Sequence, residues 1–114
     1  MTTKEVAQMI ASVGLPFAYD HFEKKETPGK PPFICFTYPS SDNFFADDRV
    51  YQKVKRLNIE LYTDEKDLEY EEAVENALDA AGLTYESSET YIDSEKMYMV
   101  SWETDVLITK EGGN

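Results

Sequence analysis

The residues of this 114-residue chain that could do chemistry are few, and their spacing keeps them apart. His21 is the only histidine and directly follows Asp20. An Asp-His pair suggests acid–base work, but adjacent residues of the strand expected over 17–22 point to opposite faces and cannot share a proton. Cys35, the only cysteine, lies in Phe33-Ile34-Cys35-Phe36 with no basic neighbour to lower its pKa. It reads as a small buried hydrophobe rather than a nucleophile. One cysteine excludes an intramolecular disulfide, and one cysteine with one histidine falls short of an ordinary zinc site. The acidic groups Asp42, Asp47 and Asp48, and Asp64, Glu65 and Asp67, invite a divalent cation. Neither group has the ligand spacing and glycine of an EF-hand loop, and Asp64 and Asp67 fit a turn and a helix cap. The five glycines form no phosphate-binding loop. The expectation is therefore no enzyme, no metal and no cofactor.

Charge narrows the choice of partner. The chain carries 11 basic and 23 acidic side chains, a net charge of −12, and phosphate backbones are gripped mainly by Lys and Arg. Sequence-specific nucleic-acid binding is not expected. The balance is uneven: residues 1–57 hold 8 basic and 7 acidic groups, residues 58–114 hold 3 and 16. Such polarity can orient a charged partner, or it can simply keep the domain soluble. The N-terminus has no apolar signal region and no apolar run approaches membrane-spanning length, so synthesis in the cytoplasm without membrane association is expected.

The elements that must position these groups follow from periodicity. Thr2 and Glu5 form a capping-box pattern, and Val6, Met9, Ile10 and Val13 make one apolar helical stripe ended by Gly14 and Pro16. Strands are expected over 17–22 and 32–38, the second buried on both faces, separated by a turn at Pro28-Gly29. A loop is expected over 39–48. The longest strand candidate runs from Arg49 to Tyr62, with an early half that projects as an arm or is bent by a bulge and a later half, Leu57 to Tyr62, in the sheet core. Asp64 to Asp67 starts a second helix with Leu68, Val74, Ala77, Leu78 and Ala81 as its apolar stripe, ended by Gly82. Two strands, 84–92 and 97–108, close the chain around a tight turn at 93–96. The fold class is α+β, order α-β-β-β-α-β-β. It forms a single domain over 1–109, a mainly antiparallel sheet with two helices on one face, and residues 110–114 are a polar tail. A short echo, Val13-Gly14-Leu15-Pro16-Phe17 against Ala81-Gly82-Leu83-Thr84-Tyr85, accompanies this order.

Surfaces then remain as the functional features. Phe44 and Phe45 in a polar loop, and Tyr51 amid Arg49, Lys53, Lys55 and Arg56, are candidate interface residues, because aromatic and Arg side chains dominate interface hot spots. Tyr91 and Met97 flank a turn and are further anchors. Two structural alternatives stand beside this reading. Phe44-Phe45 plugs the end of the core, and the basic strand is a solvated edge protected by charge.

Four strings carry a family resemblance: Ile10-Ala11-Ser12-Val13-Gly14-Leu15-Pro16-Phe17-Ala18-Tyr19, Pro32-Phe33-Ile34-Cys35, Ser41-Asp42-Asn43-Phe44, and Ile59-Glu60-Leu61-Tyr62-Thr63-Asp64. Together with weaker likeness through the second helix to Ser94-Glu95-Lys96-Met97-Tyr98, the chain is similar to tail terminator (tail completion, minor tail) proteins of siphophages and prophages of Gram-positive hosts. The resemblance implies a structural role: a ring of copies of the chain, hexameric when assembled, that caps the tail tube and joins it to the head. It implies tail tube and head–tail connector proteins as partners, a small sandwich of sheet and helices, and residence in the host cytoplasm and then in the virion. It carries over no catalytic residue.

A ring needs head-to-tail interfaces in which two different patches meet. The basic strand Arg49 to Arg56 of one copy could pack on the acidic half of the next, with the remaining acidity lining a lumen that repels DNA. An acidic module that mimics DNA and occupies a basic groove on a nucleic-acid-binding protein is the second reading, favoured by the acidic helix. A small enzyme is the third.

Overall fold

The structure, a computed structural model, describes residues 1–20, 31–41, 44–46, 49–52 and 54–109, with the backbone alone for 41, 44–46 and 49–52. The expected turn at Pro28-Gly29, His21, Asp42, Asp47, Asp48, Lys53 and the tail 110–114 lie outside the described residues.

Helix α1 (Thr3–Ala11) starts at the capping box: Thr2 N–H donates to Glu5 Oε1 at 2.8 Å and Glu5 N–H to Thr2 Oγ1 at 3.1 Å. Val6 and Ile10 are buried on its inner face. Gly14, at φ +90°, turns the chain so that Leu15 enters the core. Strand β1 (Phe17–Tyr19) is shorter than expected, because Asp20 leaves the strand at φ +67° while its N–H bonds the Phe36 carbonyl at 2.7 Å.

The region expected to be a loop over 39–48 is largely strand. Strand β2 (Phe33–Ser41) runs through Pro39, and β3 (Phe44–Ala46) pairs antiparallel with β4 (Arg49–Gln52). The single strand expected from Arg49 is two: β4, and β5 (Val54–Thr63), the centre of the main sheet. Helix α2 (Leu68–Ala80) is capped by the Asp67 carboxylate, which accepts from Tyr70 N–H at 3.1 Å. It ends where Leu83 N–H reaches the Leu78 carbonyl at 3.0 Å. Strands β6 (Glu86–Ile92) and β7 (Met97–Leu107) are joined by a 3-10 turn at Asp93–Glu95 with Lys96 left-handed.

The main sheet has the order β1-β2-β5-β7-β6, parallel only between β1 and β2. Counting the main-sheet strands alone gives α-β-β-β-α-β-β, with the β3–β4 pair inserted before β5. One face carries Ile34, Phe36, Leu57, Ile59, Leu61, Val100, Trp102 and Val106, and Val6, Ile10, Val74 and Leu78 of the two helices cover it. The register stacks these into rows, Ile34–Leu61–Val100 and Phe36–Ile59–Trp102, so Leu61 and Ile59 are flanked by apolar neighbours on both sides. Each fully buried aliphatic or aromatic side chain contributes about 1.5–3 kcal/mol. Leu68 is a correction: it is 68% exposed, and Tyr70 packs against the core in its place. As the first helical residue it sits on the turn that Asp67 caps, away from the sheet.

Candidate assembly interface

The candidate interface residues fall on one structural feature, an arm that prolongs the β2–β5 ribbon beyond the main sheet. Strand β7 accompanies β5 only to the Val54–Leu107 pair. Past that point β3 and β4 carry the ribbon on as a separate two-stranded sheet. The β2–β5 and β3–β4 registers each carry one bulge, and the two shifts compensate. Between Thr37↔Asn58 and Ser40↔Arg56, three steps on β2 match two on β5. Between Phe44↔Gln52 and Phe45↔Val50, one step on β3 matches two on β4, which restores the original pairing. Bulges bend and twist a ribbon, so the arm is re-aimed relative to the sheet that carries it.

Phe44, Phe45, Arg49 and Tyr51 therefore lie on the arm, Lys53 lies outside the described residues, and Lys55 and Arg56 sit at the arm's base in the main sheet. The side chains of Phe44 and Phe45 lie outside the described residues as well. Arg56 is committed within the chain. Its Nη1 donates to Asp105 Oδ1 and its Nη2 to Glu103 Oε2, each at 3.2 Å, and these hydrogen bonds raise its pKa further.

An aromatic cluster that sequence reasoning missed stands beside the arm. Tyr19 is 58% exposed and lies edge-on to Phe36 at 5.4 Å between centroids, with Tyr38 at 5.9 Å. Among the described residues the buried Tyr38 hydroxyl has no hydrogen-bond partner, and burial, with Tyr19 next to it, raises its pKa. Tyr19 and Tyr38 line a groove of about 270 Å³ with Thr3, Lys55 and Ile108. The signal for this cluster is the parallel β1–β2 pairing, which brings Tyr19 opposite Phe36 and which no local pattern encodes.

The sheet face opposite the helices is polar and aromatic. Phe33 stacks on Tyr62 with ring centroids 5.0 Å apart. The Tyr62 hydroxyl and Asn58 Nδ2 both donate to the Glu60 carboxylate, at 2.9 and 3.3 Å. Cys35, paired in register with Glu60, is 8% exposed. Burial, reinforced by Glu60 and Asp20, pushes its thiol up to about 11, so at neutral pH it is protonated. Among the described residues no cluster of three or more His, Cys, Asp or Glu is placed to hold a metal ion, and no helix is long and apolar enough to cross a membrane.

The acidic half gathers at the far side of the sheet. Glu69, Glu72 and Asp79 are exposed on α2, and Glu86, Glu89, Glu103 and Asp105 lie on β6 and β7. Lys66 is shared between Glu71, at 2.8 Å, and Glu89. Strand β6 is exposed along nearly its whole length and forms the edge of the sheet. Its edge position follows from strand order, and the sequence gives no sign of it. Tyr91, 47% exposed, packs edge-on against Tyr98 at 4.9 Å at its end.

No family model and no curated protein matches the chain. Among solved structures it is similar to a chain of the virion of a native gene transfer agent particle, with 17% sequence identity and a TM-score of 0.53. The match covers 92% of this chain and 88% of that one. At this identity the likeness establishes a shared fold, which extends over nearly the full length of both chains.

Proposed function

We propose that this chain is a phage-type virion assembly protein of the tail terminator kind, which forms a ring on the tail tube and joins it to the head. The observation that carries the reading is the fold shared along 92% of the chain with a component of a phage-like particle. The division of charge supports it: the arm carries Arg49 and has Lys55 at its base, whereas Glu69, Glu72 and Asp79 of α2 and Glu86 and Glu89 of β6 are acidic, and a closed head-to-tail ring requires two unlike patches. Deleting the gene from a genome that encodes it, and imaging the particles, tests the reading. Overlong tails and unattached heads are expected, and tails of normal length on filled heads would reject it.

A second reading, an acidic DNA mimic, is favoured by Glu69, Glu72 and Asp79 standing exposed on one helix. Under that reading the purified chain stays monomeric and forms a stoichiometric complex with a nucleic-acid-binding protein, and the complex dissolves as salt rises.

A further inference from the structure

We infer that the outer edge of β6 is a strand-addition site, and that its occupant is β4 of a neighbouring copy. The inference rests on the assembly reading above and specifies how its two patches meet.

The direction of every main-sheet hydrogen-bonding group follows from one bond. Ile34 N–H donates to the Pro16 carbonyl at 2.9 Å, so the even residues of β2 face β1 and the odd ones face β5. Carried through the unbroken β5–β7 and β6–β7 registers, the odd residues of β7 face β6 and the even residues of β6 face β7. The N-terminal ammonium of Met1 confirms the alternation by bonding the Leu107 carbonyl at 2.8 Å on that same side. The backbone N–H and C=O groups of Ser87, Glu89 and Tyr91 therefore point outward, and no described residue pairs with them.

Glu86 and Glu89 give this edge charge but none of the other usual protections. Its seven residues contain no Pro, Lys, Gly or bulge. The opposite edge, β1, is three residues long and is ended by Asp20 at φ +67°. Strand addition on β6 therefore offers three outward donor and acceptor pairs in an unbroken row, a row that β1 is too short to match.

Charge selects the occupant. Two copies of β6 paired about a twofold axis would set Glu89 opposite Glu89, a like-charge pair that destabilises the contact. Lys66 does not relieve this, since Glu71 and Glu89 share it. A cationic strand with a free edge is required. Strand β4 begins at Arg49, is followed in the sequence by Lys53, and among the described residues pairs only with β3. Pairing β6 of one copy with β4 of the next joins two different surfaces and repeats around a ring.

Proline substitution tests the edge, because Pro removes one donor and is tolerated where the N–H faces solvent. Ser87→Pro and Tyr91→Pro each delete an outward N–H while leaving the β7 ladder intact. Particles and purified protein are followed by electron microscopy and light scattering, with circular dichroism reporting the fold. Both variants are expected to keep the wild-type spectrum and to lose rings. Rings that persist in either folded variant overturn strand addition while leaving the assembly reading standing. A wild-type chain that never self-associates, alone or on particles, overturns both. Glu89→Gln tests the occupant: association weakens roughly two- to five-fold with a cationic strand as partner. Tighter association of Glu89→Gln overturns the assignment to β4, because only β6–β6 pairing gains from losing that charge.

Discussion

Trp102 donates its indole N–H to Glu75 Oε2 at 3.0 Å, tying the second-to-last strand of the sheet to α2 through a side chain that is itself fully buried. The contact joins packing to polar satisfaction. The ring fills the core row beside Ile59, and the one polar atom of the indole finds an acceptor on the helix that covers it. Trp102→Ala is expected to cost about 3–5 kcal/mol by opening a cavity under α2. Glu75→Ala, which leaves the ring in place and its donor unpaired, is expected to cost about 1–2 kcal/mol. Urea unfolding followed by tryptophan fluorescence for Glu75→Ala, and by circular dichroism for Trp102→Ala, checks the ranking. Equal losses would show that the hydrogen bond, not the volume, holds α2.

The capping box at Thr2 and Glu5 makes a pH prediction. The Thr2 backbone N–H, then its side chain, holds the Glu5 carboxyl below its ordinary value of 4.5. A carboxylate depressed in the folded state adds stability above its unfolded pKa, and the gain is lost as pH falls through the folded value. The difference in stability between wild type and Glu5→Gln is therefore expected to be present at neutral pH and to shrink once the pH drops below about 4. Thr2→Ala is expected to cost about 1 kcal/mol. Denaturant titrations across that range measure both.

Cys35 predicts the opposite slope on the alkaline side. Its thiol, ordinarily near 9, is pushed up to about 11 by burial and by Glu60 and Asp20. The unfolded chain loses this proton first, so stability falls as the pH rises from about 9 to 11, and Cys35→Ala removes that part of the slope. Native protein at pH 8 is expected to react with a thiol reagent at least ten-fold more slowly than unfolded protein. Equal rates would mean that the thiol is neither buried nor protonated.

How far the sequence reveals the fold depends on how local each cause is. Thr2, Glu5, Gly14, Asp67 and Gly82 act within a few residues of themselves, and the helix ends expected from them are present. The residues 39–48 were expected to form a loop because Pro39, Ser40, Ser41, Asp42 and Asn43 are turn formers. Much of that stretch is strand because β5 offers Ser40 and Ser41 partners some fifteen residues away in sequence, and such pairing leaves no local trace. Leu68 fits the helical period but falls on the capped first turn, where the sheet is out of reach. The basic strand could be found by composition alone. That Arg56 is spent on Glu103 and Asp105, and that β6 is the sheet edge, depends on strand order.

Arg56 makes a prediction about which cations serve assembly. Its two partners are 50% and 42% exposed, and ion pairs so open to solvent contribute little to stability. A double-mutant cycle between Arg56→Met and Asp105→Asn is expected to return a small favourable coupling that falls as salt is raised from about 0.05 to about 0.5 M. Because its charge is already occupied within the chain, Arg56→Met is expected to leave association unchanged. Dispersal of rings by this variant, at unchanged thermal stability, would assign Arg56 to the interface instead.

On the assembly reading, the arm serves contacts between copies rather than the fold of one. Among the residues whose side chains the structure describes, none between Tyr38 and Leu57 belongs to the buried cluster that unites the helices with the sheet, although Tyr38 itself packs against it. Replacing residues 42–53 with Asn-Gly closes the β2–β5 ribbon just beyond Ser41. The shortened chain is expected to keep its circular dichroism and to melt within a few degrees of wild type, since β3 and β4 form a sheet of their own apart from the five-stranded sheet. It is also expected to form no rings, because β6 of each copy then has no β4 to receive. A large drop in melting temperature would show that the arm folds back on its own domain. Rings that form without the arm would move the interface elsewhere on the sheet.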